Sequence, residues 1–301
     1  MAPTLSRRPH PKSLSPLRRQ SRYLFALFSL ARPTNLMLIF STSLIAYALI
    51  YKEYPQSIAY FPEWVFMVLS TLAIAAGGYW LNDLYDEPID RINRPMRARK
   101  VAWLSRRTLV SAVVGLWLLA ALLALRLPWR IFFLHIGAIC ALAWYARWGK
   151  KTGLPGNTVV SALTGLVVWE VLLLVRYTTY AADWMIPLAI GFNFVRELVK
   201  DAEDLVGDRL YGVRSLPTHL APATWDRLLK GLLMGLMGLT LLPALVKGIL
   251  WQSWPWTYMV TASLLVLLPL TYAIGTLPSY PRISQALKIA MAGGLIALFF
   301  L

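Results

Sequence analysis

Nine apolar stretches run through this chain, at 34–51, 63–82, 108–126, 129–146, 157–175, 183–200, 228–246, 255–274 and 285–301. Each is close to the roughly 20 residues that a helix needs to cross hydrocarbon. Such a pattern leaves few choices of fold. In lipid every backbone N–H and C=O must find its partner inside the structure, so each stretch reads as a spanning helix. Composition agrees: 58% of the residues are hydrophobic and 15% are charged, whereas soluble domains carry about a quarter charged residues. The expectation is an all-α integral membrane bundle of about nine transmembrane helices, one unit over 23–301. Residues 1–22 differ. They hold Arg7, Arg8, Lys12, Arg18, Arg19 and Arg22, no acid, and Pro3, Pro9, Pro11 and Pro16. Proline opposes helix, so 1–22 is expected to be a disordered basic tail, and no cleavable signal pattern precedes the first span.

The net charge of +16 could suggest nucleic acid, but its distribution gives another reason. With nine spans and the N-terminus inside, 25 of the 30 Lys and Arg fall on the inner side. That bias is the positive-inside rule at work. It predicts a protein of the cell (inner) membrane with a cytoplasmic N-terminus, surrounded by membrane lipids, with no nucleic-acid partner and no obligate protein partner. Cys140 is alone in an apolar run and reads as a small buried residue, and His10, His135 and His219 are too scattered for a zinc site.

The acids are concentrated. Nine of the 14 fall in two short windows: Asp83, Asp86, Glu87 and Asp90, then Glu197, Asp201, Glu203, Asp204 and Asp208. Both windows close an even-numbered span, so both are expected on the inner face. Each contains D-x-x-D-x-x-x-D-R, ending in Arg91 and in Arg209. The i, i+3, i+7 spacing lines carboxylates along one face of a helix. Like charges at a low-dielectric edge repel and would take up protons, unless a divalent cation lies among them. Mg²⁺ takes one or two carboxylates and completes its shell with water and substrate phosphates. Two facing aspartate stripes therefore suggest a trap for a Mg²⁺–diphosphate.

Asn82-Asp83-Leu84-Tyr85-Asp86-Glu87-Pro88-Ile89-Asp90 resembles the N-D-x-x-D-x-x-x-D motif of the UbiA superfamily of intramembrane prenyltransferases. Asp201 to Asp208 resembles that family's second aspartate motif. Arg32-Pro33-Thr34-Asn35 looks like its R-P-x-N start of the first helix, and 145–157 is similar to its segment between helices four and five. The run from Arg196 to Asp208 resembles the R-E-x-x-K-D-x-E-D-x-x-G-D of the digeranylgeranylglyceryl phosphate synthase branch, and Arg91-Ile92-Asn93-Arg94-Pro95 agrees with that branch. The chain departs from the pattern at Met96–Val101, which lacks the proline-glycine segment often found there.

The resemblance implies a central cavity capped on the cytoplasmic side by the motif loops, and Mg²⁺-dependent transfer of a prenyl group from a prenyl diphosphate to a lipophilic acceptor. Asp83, Asp86, Asp90, Asp201, Asp204 and Asp208 are expected as catalytic metal ligands, with Asn82 as a neutral oxygen ligand. Asn35, Arg91, Arg97, Lys100, Tyr145, Lys150, Lys151, Asn157, Arg196, Lys200 and Arg209 are expected at the substrates. Tyr79, Tyr85, Tyr145 and Phe192 are candidates to face an allylic cation. The lead acceptor is geranylgeranylglyceryl phosphate, and the runner-up is the aromatic ring of a quinone precursor. A transporter or channel with a divalent-cation site is the rival of another class, although such sites sit near the midplane rather than at helix ends. Glu170 is expected to pair inside the bundle or to reach the interface, with no role in the chemistry, and Gly231, Gly235 and Gly238 to let helices pack closely.

Overall fold

The computed structural model describes residues 16–273 and 279–301, and all their regular structure is helical. The helices are α1 (Pro16–Leu30), α2 (Pro33–Glu53), α3 (Phe61–Asn93), α4 (Pro95–Val101), α5 (Arg106–Ala124), α6 (Trp129–Arg147), α7 (Leu154–Val175), α8 (Tyr180–Glu203), α9 (Leu205–Leu210), α10 (Leu216–His219), α11 (Pro222–Trp251), α12 (Trp256–Ala273) and α13 (Tyr280–Ala297). Proline sits in the first turn of α2, α3, α4, α7, α11 and α13, where its missing N–H costs nothing. Ser105 and Thr179 cap α5 and α8 by accepting from the N–H groups of Thr108 and Ala182.

Eight helices are long and apolar enough to cross a membrane. The ninth expected span falls in α8, which has 24 residues but carries Arg196, Glu197, Lys200 and Asp201 at its C-terminal end. The expected tail needs correction. Residues 1–15 lie outside the described residues, but from Pro16 the chain is helical. Pro16 occupies the first helical position, where proline is tolerated, and the other three prolines lie upstream.

The bundle closes on itself. α3 packs on α5 and α6, α7 on α8, and α11 and α12 lead to α13, which returns against α2 and α8. Its core includes Ile50, Met67, Leu174, Met185, Leu198, Leu229 and Leu287. Outside, Leu118, Leu122, Phe133, Ile249 and Leu264 are exposed, a surface that water would not tolerate at this extent and that suits lipid. The chain is a multi-pass membrane protein. Cys140 is exposed on α6, so the expected buried position is corrected: it faces out of the bundle. The glycine expectation is also corrected. A Cβ at Gly231, Gly235 or Gly238 would meet nothing within 4 Å, so no helix packs on that stripe, and Gly231 and Gly235 line an open groove instead.

One dimension positions the site. With 33 residues, α3 is roughly 50 Å long, whereas hydrocarbon is about 30 Å thick. The helix is therefore longer than the hydrocarbon is thick, and the first aspartate window lies in its C-terminal turns.

Candidate active site

Asp83, Asp86 and Asp90 lie on one unbroken helix through Pro88, and all three are buried. Asp83 Oδ1 accepts from Arg32 at 2.9 Å and lies 3.0 Å from Nε of Arg97. Asp86 Oδ2 is 2.7 Å from Nζ of Lys150 and accepts from Asn82 Nδ2 at 2.6 Å. Arg32 reaches Asp83 because its backbone is left-handed, φ 56 and ψ 63, between α1 and α2. That conformation is uncommon for a residue with a Cβ, and it turns the guanidinium back over the ring of Tyr79, 4.8 Å from its centroid.

The second window is not the single stripe that the spacing suggested. α8 ends at Glu203, Asp204 is its cap at φ −91 and ψ 3, and Asp208 belongs to the separate α9. A side chain from the first window holds this break. Asn93 Nδ2 donates to the carbonyl of Asp204 at 2.8 Å, and Asn93 Oδ1 accepts from the N–H of Gly207 at 2.9 Å. Beside it, Arg94 donates to Asp204 Oδ2 at 2.9 Å and lies 3.8 Å from Glu203. Asn157 donates to Asp201 at 2.8 Å. The two windows thus meet at one end of the bundle.

Their charges are balanced by cations. Lys150 interacts with Asp86, Asp204, Asp90 and Asp208. Burial works to lower its pKa, but Asp86, Asp204 and Asp90 together outweigh burial and leave it raised. Burial likewise opposes the charge on Arg32, and Asp83 overrides it, so that guanidinium is held charged. Arg97 goes the other way: burial, and then Arg32, lower it. Asp208 is pushed up to about 6, first by burial and then by Asp204 and Asp86, with Lys150 opposing. Three buried oxygens, Asn82 Oδ1, Asp83 Oδ2 and Asp208 Oδ1, have no hydrogen-bond partner, and each is a donor suited to a hard cation. Among the described residues no three acidic, His or Cys side chains are gathered tightly enough to form a preassembled metal cluster.

A central cavity of about 130 Å³ opens beside the windows, lined by Asn35, Tyr79, Asn82, Tyr145, Asn193, Arg196, Glu197 and Lys200. It adjoins an open chamber of about 690 Å³ with seven cations, Arg32, Arg94, Arg97, Lys100, Arg196, Lys200 and Lys288, and a single acid, Glu203. Arg32, Asn35, Arg196, Lys200 and Lys288 line both spaces.

Of the expected residues, the six aspartates, Asn82, Arg97, Lys150 and Asn157 come together at the windows. Asn35, Lys100, Tyr145, Arg196 and Lys200 line the two spaces, with Arg196 and Lys200 held by Glu197 at 3.3 and 2.6 Å. Three are corrected. Arg91 is exposed and pairs with Glu87 at 2.7 Å, and Lys151 and Arg209 are exposed. Their helical or turn phase points them away from the windows. Tyr79 faces the central cavity, Tyr85 lies against Arg147, and Phe192 lines a separate apolar space. Asn93, Arg94 and Lys288 were not expected at the site. The first two sit one turn past the first motif, a signal that spacing alone could have given. Lys288 stands in an apolar stretch and gives none.

The family model described as "UbiA prenyltransferase family" matches residues 24–294. A digeranylgeranylglyceryl phosphate synthase of Korarchaeum cryptofilum is 31% identical over 236 residues, covering 77% of this chain and 82% of that one. One from Saccharolobus solfataricus is 34% identical over 174 residues, 56% of this chain and 61% of that one. A solved structure addressing digeranylgeranylglyceryl phosphate synthase in membranes superposes with a TM-score of 0.64 at 23% identity, covering 92% and 97% of the two chains. A UbiA homologue from Archaeoglobus fulgidus, bound to DMAPP and Mg²⁺, gives 0.61 at 16% identity over 91% and 99%; likenesses at this identity speak for the fold.

Proposed function

The chain belongs to the UbiA prenyltransferase family, and from that membership we propose that it carries out Mg²⁺-dependent transfer of a geranylgeranyl group from its diphosphate to geranylgeranylglyceryl phosphate. The observation that carries this reading is the joining of two buried aspartate windows through Asn93, at the mouth of a cavity that reaches into the bundle. The A. fulgidus homologue holds a prenyl diphosphate with Mg²⁺, and the relatives named above support the acceptor.

The donor set fits magnesium. Asp83, Asp86, Asp90, Asp201, Asp204 and Asp208, with the free oxygen of Asn82, would hold one or two ions. Their spread over two windows suits an ion that completes its shell with substrate phosphates. Bound Mg²⁺ supplies Lewis-acid stabilisation of the departing diphosphate.

The rest is work for side chains of the protein. Lys150, Arg94 and Arg97 sit among the carboxylates and offset negative charge as the C1–O bond of the donor breaks. The bonding electrons leave with diphosphate, and an allylic cation remains in the central cavity. The rings of Tyr79 and Tyr145 line that cavity and offer their faces to the cation. The acceptor hydroxyl oxygen forms the new bond to C1, and its proton passes to the departing diphosphate. The acceptor's phosphate needs cations rather than carboxylates, and the chamber with seven cations and one acid supplies them. Its position beside the central cavity brings the hydroxyl of such an acceptor toward C1. The bias of 25 inner cations among 30 supports a cell (inner) membrane location, with this face cytoplasmic.

Incubating the purified protein and Mg²⁺ with geranylgeranyl diphosphate and each acceptor class tests the reading. A product with the mass of the digeranylgeranyl ether is expected. Product only on an aromatic acceptor overturns the acceptor assignment, and no diphosphate release with any acceptor overturns the activity.

A further inference from the structure

The cations of the basic chamber are not equivalent. Five of the seven touch a carboxylate: Arg32 and Arg97 lie on Asp83, Arg94 on Asp204, and Arg196 and Lys200 on Glu197. Lys100 donates to the hydroxyl of Ser29 at 2.5 Å and lies over the ring of Phe25. Lys288, on α13, has neither kind of partner. Among the described residues it makes no ion pair and no hydrogen bond. The single acid of the chamber does not serve it, since Glu203 pairs with Arg94 at 3.8 Å. A lysine in an apolar helix ordinarily lays its stem along the protein and takes its charge to water. Lys288 instead lines the chamber and the central cavity together with Arg32 and Arg196. Like charges gathered at a membrane edge repel, and an anion among them removes the conflict. The two cations without a carboxylate, Lys100 from α4 and Lys288 from α13, match the charge of roughly −1.5 to −2 that a phosphate monoester carries at pH 7.

Resting on the prenyl-transfer reading above, we propose that Lys288, with Lys100, binds the phosphate monoester of the acceptor and makes the protein select a phosphorylated acceptor over a neutral one. The donor is not the occupant, because its diphosphate is drawn to Mg²⁺ at the aspartates, and Lys288 pairs with none of them. A phospholipid headgroup is a diester with one charge on its phosphate and leaves one of the two lysines unmatched. Because Lys288 lines both spaces, a phosphate held on it sits where chamber and cavity meet. An acceptor without a phosphate leaves Lys288 unpaired in the occupied site, and that is how one side chain discriminates between acceptor classes.

Lys288→Met removes the charge and keeps an unbranched side chain, and Lys288→Arg keeps the charge. Turnover is measured with geranylgeranyl diphosphate and Mg²⁺ on geranylgeranylglyceryl phosphate and on its dephosphorylated alcohol. In Lys288→Met the half-saturating concentration of the phosphorylated acceptor is expected to rise about 10- to 100-fold, the scale of a lost hydrogen bond to a charged group. No matching rise is expected for the donor or for the alcohol, and Lys288→Arg is expected to keep most of the preference. An unchanged preference in Lys288→Met, or equal rises for donor and both acceptors, overturns the proposal. A second measurement needs no turnover. The melting temperature in detergent is read with each acceptor and with phosphatidylglycerol, in the absence of donor. The phosphorylated acceptor is expected to stabilise wild type and Lys288→Arg more than Lys288→Met, and the alcohol to act alike on all three. An equal response of wild type and Lys288→Met to the phosphorylated acceptor, or no response of either, overturns the assignment. Stabilisation by phosphatidylglycerol that matches the phosphorylated acceptor and is lost in Lys288→Met assigns Lys288 to a lipid headgroup and overturns it too. Binding through Lys288 in a protein that forms no product keeps this assignment and loses the prenyl-transfer reading. Ether product formed equally well by Lys288→Met does the reverse.

Discussion

Buried Asp83 is held by two guanidiniums from different elements, Arg32 before α2 and Arg97 in α4. Asp83→Asn removes the charge that lets these two cations lie together, as well as a proposed metal ligand. Turnover is expected to fall by about a hundredfold or more while the protein still elutes as a folded species on size exclusion. Near-normal turnover would sink the metal assignment. Asn93 acts differently because it touches only backbone of the other window. Asn93→Ala should raise the Mg²⁺ concentration for half-maximal activity about 10- to 100-fold, the usual effect of losing a group that orients ligands. An unchanged Mg²⁺ titration would reduce Asn93 to a fold residue. Far from this site, Ser70 donates to the carbonyl of Ala120 and so accepts from Nδ1–H of His135, and Nε2 of His135 lies 2.9 Å from Glu170, whose other oxygen faces Thr71 at 2.8 Å. His135 and Glu170 thus satisfy one another's polar atoms, as burial within the bundle demands. Glu170→Gln preserves this pattern and should melt close to wild type. Glu170→Ala orphans His135 and should cost about 1–3 kcal/mol, read as a lower melting temperature in detergent. Pairing for Glu170 was legible in the sequence because a lone acid at membrane depth needs a partner, whereas the identity of that partner depends on helix packing.

At the scale of elements, the break between α8 and α9 was hidden by the repeat itself. The same D-x-x-D-x-x-x-D pattern is one helix in the first window and two in the second. The difference comes from what crosses the break. A Cβ on Gly207 would lie 2.5 Å from Nδ2 of Asn93, so glycine is what lets Asn93 reach the Asp204 carbonyl and the Gly207 N–H together. Gly207→Ala is therefore expected to reproduce the Mg²⁺ defect of Asn93→Ala. The double variant should be no worse than either single one, since both remove one shared contact. Additive losses would mean that the two residues act independently. Spans and aspartate windows were readable because hydrophobic length and charge spacing are local properties. The left-handed turn at Arg32 was marked only by Arg32-Pro33-Thr34-Asn35, and the exposure of Arg91, Lys151 and Arg209 depends on rotations that spacing does not fix.

At the scale of the whole molecule, charge asymmetry and site position point the same way. Both windows meet at the end of the bundle where Arg94, Arg97, Lys100 and Lys150 cluster, and the sequence bias assigns that end to the cytoplasm. A diphosphate donor made in water would then reach its site without its charged end crossing hydrocarbon. Cys140, the only cysteine in the chain and exposed on α6, makes this directly testable. In a Cys140→Ser background, a cysteine placed at exposed Arg209, in the last turn of α9, should react with an impermeant maleimide only after the cells are opened. A cysteine at exposed Gln252, between α11 and α12 at the opposite end, should react in intact cells. The reverse pattern would put the aspartates outside and overturn the cytoplasmic supply of donor. It would leave the fold and the joined windows as they are, because packing inside the bundle does not depend on which leaflet faces the cytoplasm.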